Sequence, residues 1–313
     1  METNRTLKTN IKPRKSQSFF KLSYRQRERL AGLGFIFPVL VLLIIFMFYP
    51  MIQAFIISFQ QYNLISLEKS FIGIGNYLNL MKDQVFINSL LHSLHFAVIV
   101  VPVQGAISLG LALLIQKKSK VNGIFRTIYF IPVVISTAVA ATVFKLIYSK
   151  DFGLLNNFLE SLHLPTVNFL SDPNTAMYGV IILGIWKSAG FFMIVFLAGL
   201  NSIPFDLYEA ARVDGAGRIK QFFYITLPLL KRTIAFVAII TTIDAIKLSA
   251  LVYVLTNGGG PSGATETTVV YIFRTAFEQM NMGYASAAAF ILFAIVLIIS
   301  LIQMRLFKSD VEY

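Results

Sequence analysis

Cysteine is absent from all 313 residues, which removes disulfides, thiolate metal sites and cysteine nucleophiles together. Three histidines and one tryptophan leave little from which to build a metalloenzyme. Charge is scarce too: 13% of residues are charged, where soluble domains carry about a quarter. That shortage points away from the cytosol. The charges present are lopsided, with 27 Lys and Arg against 15 Asp and Glu. In a soluble chain such an excess would suggest nucleic acid; in a membrane chain its distribution between loops matters more. What the sequence has in quantity is apolar side chains, 56% of the total, arranged in long uninterrupted runs. Runs of that length mark bilayer spans.

Six segments are long enough to cross about 30 Å of hydrocarbon at a rise of about 1.5 Å per residue. They are Ala31–Ser58, Phe86–Ile115, Thr127–Tyr148, Ala176–Leu200, Thr233–Leu255 and Gly283–Gln303. The expected fold class is therefore an all-α integral membrane protein with six transmembrane helices. Pro38, Pro102, Pro132 and Gly190 fall inside these spans, where neighbouring helices can satisfy the freed backbone groups. The first apolar run is too long for a signal-peptide core and lacks a small-residue cleavage site, so the polar, basic segment 1–30 is expected to stay attached.

Charge counting orients the spans. Segments 1–30, 116–126, 201–232 and 304–313 would share one side, and together they hold 20 Lys and Arg. The opposite loops hold only Lys69, Lys82, Lys150 and Arg274. The excess of positive charge faces the cytoplasm, so both termini are expected inside a multi-pass cell-membrane protein. The loop 201–232 then lies in the cytoplasm, and the glycine-rich stretch 256–263 lies outside.

The loop 201–232 is too long for a simple turn. Ser202 can cap a helix, Pro204 suits a first turn, and Asp206 and Glu209 favour a helix's N-terminal half. Gly215 and Gly217 interrupt the pattern. Ile219, Phe222, Phe223, Leu227 and Leu230 then recur at helical spacing, with Pro228 ending or kinking the second helix. A helix–turn–helix at the membrane surface follows. A plain interfacial anchor would share this periodicity. The small pair Ala210–Ala211 beside an acidic residue favours close docking to a partner.

The same residues carry a family resemblance. Glu209-Ala210-Ala211, Asp214-Gly215-Ala216, and Ile225 with Leu227-Pro228 resemble the EAA loop of inner-membrane subunits of binding-protein-dependent ABC importers. Phe71-Ile72-Gly73 with Asn76-Tyr77, Phe125 to Pro132, Gly153 to Asn156, and Trp186 with Gly190-Phe191 are similar to further family segments. Leu255 to Pro261 resembles the T-x-G-G-P signature of the carbohydrate-type group, in its larger, maltose-permease-like subunit. The resemblance implies a type I importer permease fold with its core at 86–304, preceded by a basic tail (1–30) and a first helix with an outer loop (31–85), and followed by a short tail (305–313). It implies a non-catalytic subunit that binds no cofactor, with ATP and Mg held by a separate ATPase. It also implies partners: a second related permease, two ATPase subunits and an extracytoplasmic solute-binding protein. Glu209, Ala210, Ala211, Asp214 and Gly215 would be the ATPase-coupling residues. Departures occur at His92-Ser93, where the family has Asn-Thr, at Ser249-Ala250, where it often has Phe-Asp, and at Arg232, where a proline is common. A particular sugar therefore does not transfer.

Inside the spans, Lys187 and Asp244 fall about midway along the fourth and fifth, and Lys247 lies one turn beyond Asp244. A charge at a helix centre costs roughly 2.5–3.5 kcal/mol, so each needs a partner or water. Lys187 with Asp244, or Asp244 with Lys247, could form an intramembrane ion pair; alternatively the three line the pathway. Lys145, near a span end, can snorkel. Trp186, Tyr253 and Asn257 would suit sugar stacking and hydroxyl bonding, and would equally suit interfacial anchoring. His92 and His95 share one helical face, where hydrogen bonding near the outer interface is the expected role. The alternatives to an importer subunit are a self-contained ion-coupled secondary transporter, using Asp244, and a membrane enzyme. The second lacks clustered catalytic groups.

Overall fold

The computed structural model describes residues 24–66, 68–117 and 119–307. Most of the expected basic tail, and the end of the C-terminal tail, lie outside the described residues. The chain divides into two units, Met1–Gln53 and Ala54–Tyr313. In the first, α1 (Tyr24–Leu43) continues through a π-helical turn at Ile44–Phe48 into the start of α2 (Tyr49–Ser58), whose last residues belong to the second unit. Its apolar side chains, Phe35 and Phe46 among them, are exposed, as hydrocarbon-facing groups must be.

In the second unit β1 (Gln60–Tyr62) pairs antiparallel with β2 (Lys69–Phe71), Gln60 opposite Phe71. The F-x-G-x-x-N-Y motif closes this hairpin onto α3 (Gly75–Leu80). Asn76 Nδ2 donates to the carbonyls of Ser58 and Gln60, both at 2.9 Å, and the Tyr77 hydroxyl lies 2.7 Å from Ser58 Oγ. Each is a buried or half-buried polar group with its partner found.

Helix starts follow their caps. Asp83 accepts from the amides of Val85 and Phe86 and opens α4 (Gln84–Ile115). Ser119 opens α5 (Lys120–Val134), which is followed by α6 (Thr137–Ile147) and α7 (Leu154–Ser161). Asp172, with Pro173 in the first turn, opens α8 (Pro173–Asn201). Then come α9 (Phe205–Val213), α10 (Arg218–Gln221), a π-helical turn at Phe222–Thr226, α11 (Leu227–Leu229), α12 (Lys231–Ile246), α13 (Ala250–Leu255) and α14 (Thr268–Phe273). A further π-helical turn at Arg274–Glu278 follows, and Asn281 caps α15 (Met282–Leu306).

Among the described residues, four helical runs are long and apolar enough to cross a membrane unbroken, and two bent pairs bring the possible spans to six. Helix bends and breaks correct three sequence expectations. The third span is not one rod: α5 and α6 meet at 97°, with Ile135 extended (φ −64°, ψ 134°). The break follows the β-branched run Val133-Val134-Ile135, whose side chains crowd a helix, and Ser136 starts the next one. The fifth, expected as Thr233–Leu255, is interrupted between Lys247 and Ser249. The second helix of the loop 201–232 is not a separate surface helix. It leads through its π turn into α12 with a 65° bend, burying Thr226 and Leu230 while Ile219 and Phe223 stay exposed.

α8 is the central post. One apolar cluster gathers Val180 and Leu183 with Phe96 of α4, Ala140 of α6, and Leu251 and Leu255 of α13. Another gathers Met193, Phe196 and Leu200 with Ala112, Leu230 and Val237. A polar chain, buried at Gln104 and Ser108 and half-buried at Ser188, also joins α4 to α8. Ser188 donates to Gln104 Oε1 at 3.0 Å, Gln104 to Ser108 at 3.2 Å, and Ser108 to the Ala189 carbonyl at 3.1 Å.

Candidate functional site

The two broken helices border one cavity of about 420 Å³. Val133 and Thr137 come from the first break; Lys247, Leu248, Ser249 and Ala250 come from the second. Phe96, Lys187, Ser188, Phe191, Thr241 and Asp244 complete much of the wall. Lys187, Asp244 and Lys247 therefore share a cavity, yet no nitrogen–oxygen approach within 4.0 Å joins Asp244 to either lysine among the described residues. The reason is the first break. It frees the Ile135 carbonyl from its helix, and Lys187 Nζ donates to that oxygen at 2.8 Å. Leu248, freed at the second break, has its carbonyl taken by Thr267 Oγ1 at 2.6 Å.

Trp186, Tyr253 and Asn257 do not line this cavity. The indole of Trp186 packs on Phe144, ring centroids 5.0 Å apart. Tyr253 donates its hydroxyl to Glu278 Oε1 at 2.9 Å, and Asn257 Oδ1 accepts from Lys145 Nζ at 2.8 Å. Lys145 thus has a specific partner in the glycine-rich loop as well as a snorkelling position.

That loop is a closed, internally bonded structure. Asn257, Gly258, Gly259, Ser262 and Gly263 all take positive φ. Thr265, fully buried, shares its hydroxyl between Thr256 Oγ1 and the Gly260 carbonyl, each 2.7 Å away. His92 Nδ1 lies 3.1 Å from the Glu266 carbonyl, and Ser93 Oγ accepts from the Thr268 amide at 2.9 Å. His95 instead meets the ring of Tyr178 edge-on. The Glu266 carboxylate is 4% exposed and pairs with Arg274 at 2.7 Å. Burial pushes its carboxyl above the ordinary range, against the pull of the Arg274 charge. Burial acts on Asp83 in the same sense. There the Tyr271 hydroxyl, the amides of Phe86 and Val85 and the Tyr284 hydroxyl prevail and hold the carboxylate below its usual value.

α9 is the opposite case. Glu209, Ala210 and Asp214 are exposed and Ala211 half-buried, with Phe205, Leu207 and Val213 also open. Its end is a Schellman turn: the Ala216 amide donates to the Ala211 carbonyl at 2.8 Å and the Gly215 amide to Arg212 at 3.1 Å. Gly215 holds the required left-handed conformation at φ +77°. Tyr208 reaches Thr226 Oγ1 at 2.9 Å and Gln221 reaches the Ala216 carbonyl at 2.8 Å, so the elbow is braced from inside while its outer face stays free.

Residues 104–311, two thirds of the chain, match the family described as binding-protein-dependent transport system inner membrane component. The chain belongs to this permease family. A probable ABC transporter permease protein of Bacillus subtilis, YurN, is 40% identical over 89% of this permease and 96% of its own length. The trehalose/maltose transport system permease protein MalF of Thermococcus litoralis is 34% identical over 93% and 98%. Among solved structures, a chain of a bacterial ABC transporter that imports the acidic polysaccharide alginate superposes with a TM-score of 0.80 at 25% identity, covering 91% of this permease and 98% of that chain. The protein is thus a non-catalytic inner-membrane subunit of an ATP-driven importer, served by a separate ATPase and a solute-binding protein.

Thr241, Ser188 and the Ile135 carbonyl escaped the sequence reading. Thr241, Asp244 and Lys247 recur every third residue, a polar stripe that could have signalled the first of these. Nothing in the sequence signals a backbone carbonyl freed by a bend.

Proposed function

We propose that this permease forms half of the translocation pathway for a sugar or sugar-like solute and pairs with a second, related permease. Both termini lie in the cytoplasm, and α9 seats in one of two ATPase subunits, which hold ATP and Mg. Glu209 meets a basic residue of that ATPase, Ala210 and Ala211 allow close approach, and Asp214 and Gly215 form the turn that aims the helix. The solute-binding protein delivers cargo from the outer side. Solute then passes the cavity lined by Lys187, Asp244 and Lys247. Trp186, Tyr253 and Asn257 are engaged elsewhere, which favours a framework role for them.

The observation that carries this reading is the exposure of α9. A helix with open Phe205, Leu207 and Val213, small residues beside an acidic one, and a braced turn is shaped for a protein socket. A packed elbow also transmits motion, because packed elements switch between discrete arrangements. The carbohydrate class is supported by relatives named for trehalose/maltose transport and for arabinooligosaccharide transport. The test is ATP-driven uptake in proteoliposomes with Glu209→Lys, alongside capture of the ATPase. Insertion should be normal, with uptake and capture both lost. Undiminished uptake by this variant would remove α9 from the coupling role.

A further inference from the structure

We infer that the intramembrane cavity selects a sugar carrying one negative charge, a carboxylate or a sulfonate, over its neutral counterpart. This deepens the reading of the cavity as the solute pathway and rests on it.

Charge balance in the cavity favours an anion. Three ionisable side chains line the cavity: Lys187 and Lys247 against Asp244. The helix ends do not alter that balance, since each break brings a C-terminal end and an N-terminal end together, α5 with α6 and α12 with α13, and their partial charges oppose. The excess is one positive charge. Lys187 spends one donor on the neutral Ile135 carbonyl, which leaves its charge without a counter-ion and its other two N–H groups without a partner among the described residues. Asp244 and Lys247 make no ion pair within 4.0 Å. An uncompensated ammonium inside a membrane protein is costly, and an anionic cargo relieves that cost while it is bound.

A second observation points to a ligand independently. Thr241 is 3% exposed, lines the cavity, and its Oγ1 has no hydrogen-bond partner among the described residues. A buried hydroxyl without a partner is an empty binding position. It lies one helical turn from Asp244, so the two can serve sugar hydroxyls while the lysines face the anion. Ser188 and Ser249 add polar lining, and the volume lies within the usual range for small-molecule sites, about 300–1,000 Å³.

The full chain in nanodiscs is titrated with radiolabelled methyl glucoside, methyl glucuronide and the 6-sulfonate analogue, and bound sugar is counted by equilibrium dialysis. Both acids should bind roughly tenfold or more tighter than methyl glucoside, as a gained hydrogen bond to a charged group implies. Whichever acid binds tighter names the anion. Lys187→Gln and Lys247→Gln should each cut that preference several-fold, whereas Asp244→Asn should increase it. Because Lys187 also holds a helix break, helicity is checked, and Lys247→Gln carries the result if Lys187→Gln misfolds. Equal affinity for the three sugars, no saturable signal with any, or an unchanged preference in Lys247→Gln overturns the inference. ATP-driven uptake of a neutral sugar by the assembled importer, alongside equal affinities here, would sink the anion preference and leave the importer reading standing.

Discussion

Two glycine-bearing loops carry the motifs of this permease, and they are built in opposite senses. In the stretch 256–268 the side chains turn inward: Thr265, Thr267 and Thr268 are fully buried, and Thr265 bonds two neighbours within the loop. In the stretch 205–216 they turn outward, with Val213 88% exposed and Glu209 open. The same kind of residue serves different ends. Gly259 at φ +116° packs against Glu266, whereas Gly215 at φ +77° has open space beyond it. A loop whose polar groups find partners internally is a framework. A loop whose backbone is satisfied and whose inner side chains brace it, but whose apolar and acidic outer side chains stay exposed, is waiting for another molecule.

The sharpest way to break this contrast is to load each loop at its own weak point. Gly259→Val should cause the largest effect. A Cβ there would sit 2.7 Å from Glu266 Cβ and 2.9 Å from its Cα, in a conformation that a β-branched residue scarcely adopts. A loss above about 3 kcal/mol is expected, read as absent monodisperse protein after detergent extraction. Glu209→Lys should abolish transport with an unchanged melting temperature, since that side chain is exposed and has no partner among the described residues. A melting temperature that falls in step with transport would make α9 a framework element too.

Between these lies Thr265→Val, which keeps the shape and deletes the hydroxyl. Thr256 Oγ1 still donates to Val252 at 2.9 Å, but the Gly260 carbonyl loses the Thr265 bond. A cost of about 1–3 kcal/mol is expected, measured as a drop in thermal stability, because an acceptor is left buried without its partner. Stability equal to wild type would show that water replaces the hydroxyl and that the loop is wetter than its burial suggests.

The contrast also explains what could be read from the sequence. Span existence was legible because apolar runs of bilayer length have few other uses. The two helix breaks beside the cavity were not. Pro132 sits inside α5, three residues before the actual break, and no proline or glycine marks the gap from Lys247 to Ser249. Those breaks depend on tertiary partners, Lys187 for Ile135 and Thr267 for Leu248, that lie 52 and 19 residues away. The expectation of an ion pair for Lys187 failed to find its geometry for the same reason: carboxylates can be counted in a sequence, but freed carbonyls cannot. Periodicity likewise placed Ile219 and Phe223 with Leu230 on one face, and the π-helical turn at Phe222–Thr226 rotated them apart.

The finest discrimination comes from making one chemical change at both loops. Gly215→Ala adds a methyl group where nothing lies within 4 Å, so its cost is conformational alone, about 1–2 kcal/mol for holding an L-residue at φ +77°. Gly259→Ala meets the same conformational penalty plus contacts of 2.7–3.2 Å with Glu266. The first variant should therefore melt slightly early, remain monodisperse and keep part of its ATP-driven uptake, its turn still formed because the Ala216 and Gly215 amides retain their acceptors. The second should unfold. Measured by paired thermal melts, the gap between the two isolates packing from backbone strain. Equal losses would mean that strain dominates in both places and that the inward loop is not close-packed around Gly259. A Gly215→Ala protein with full stability but no uptake would instead assign the turn's angle directly to the proposed ATPase contact.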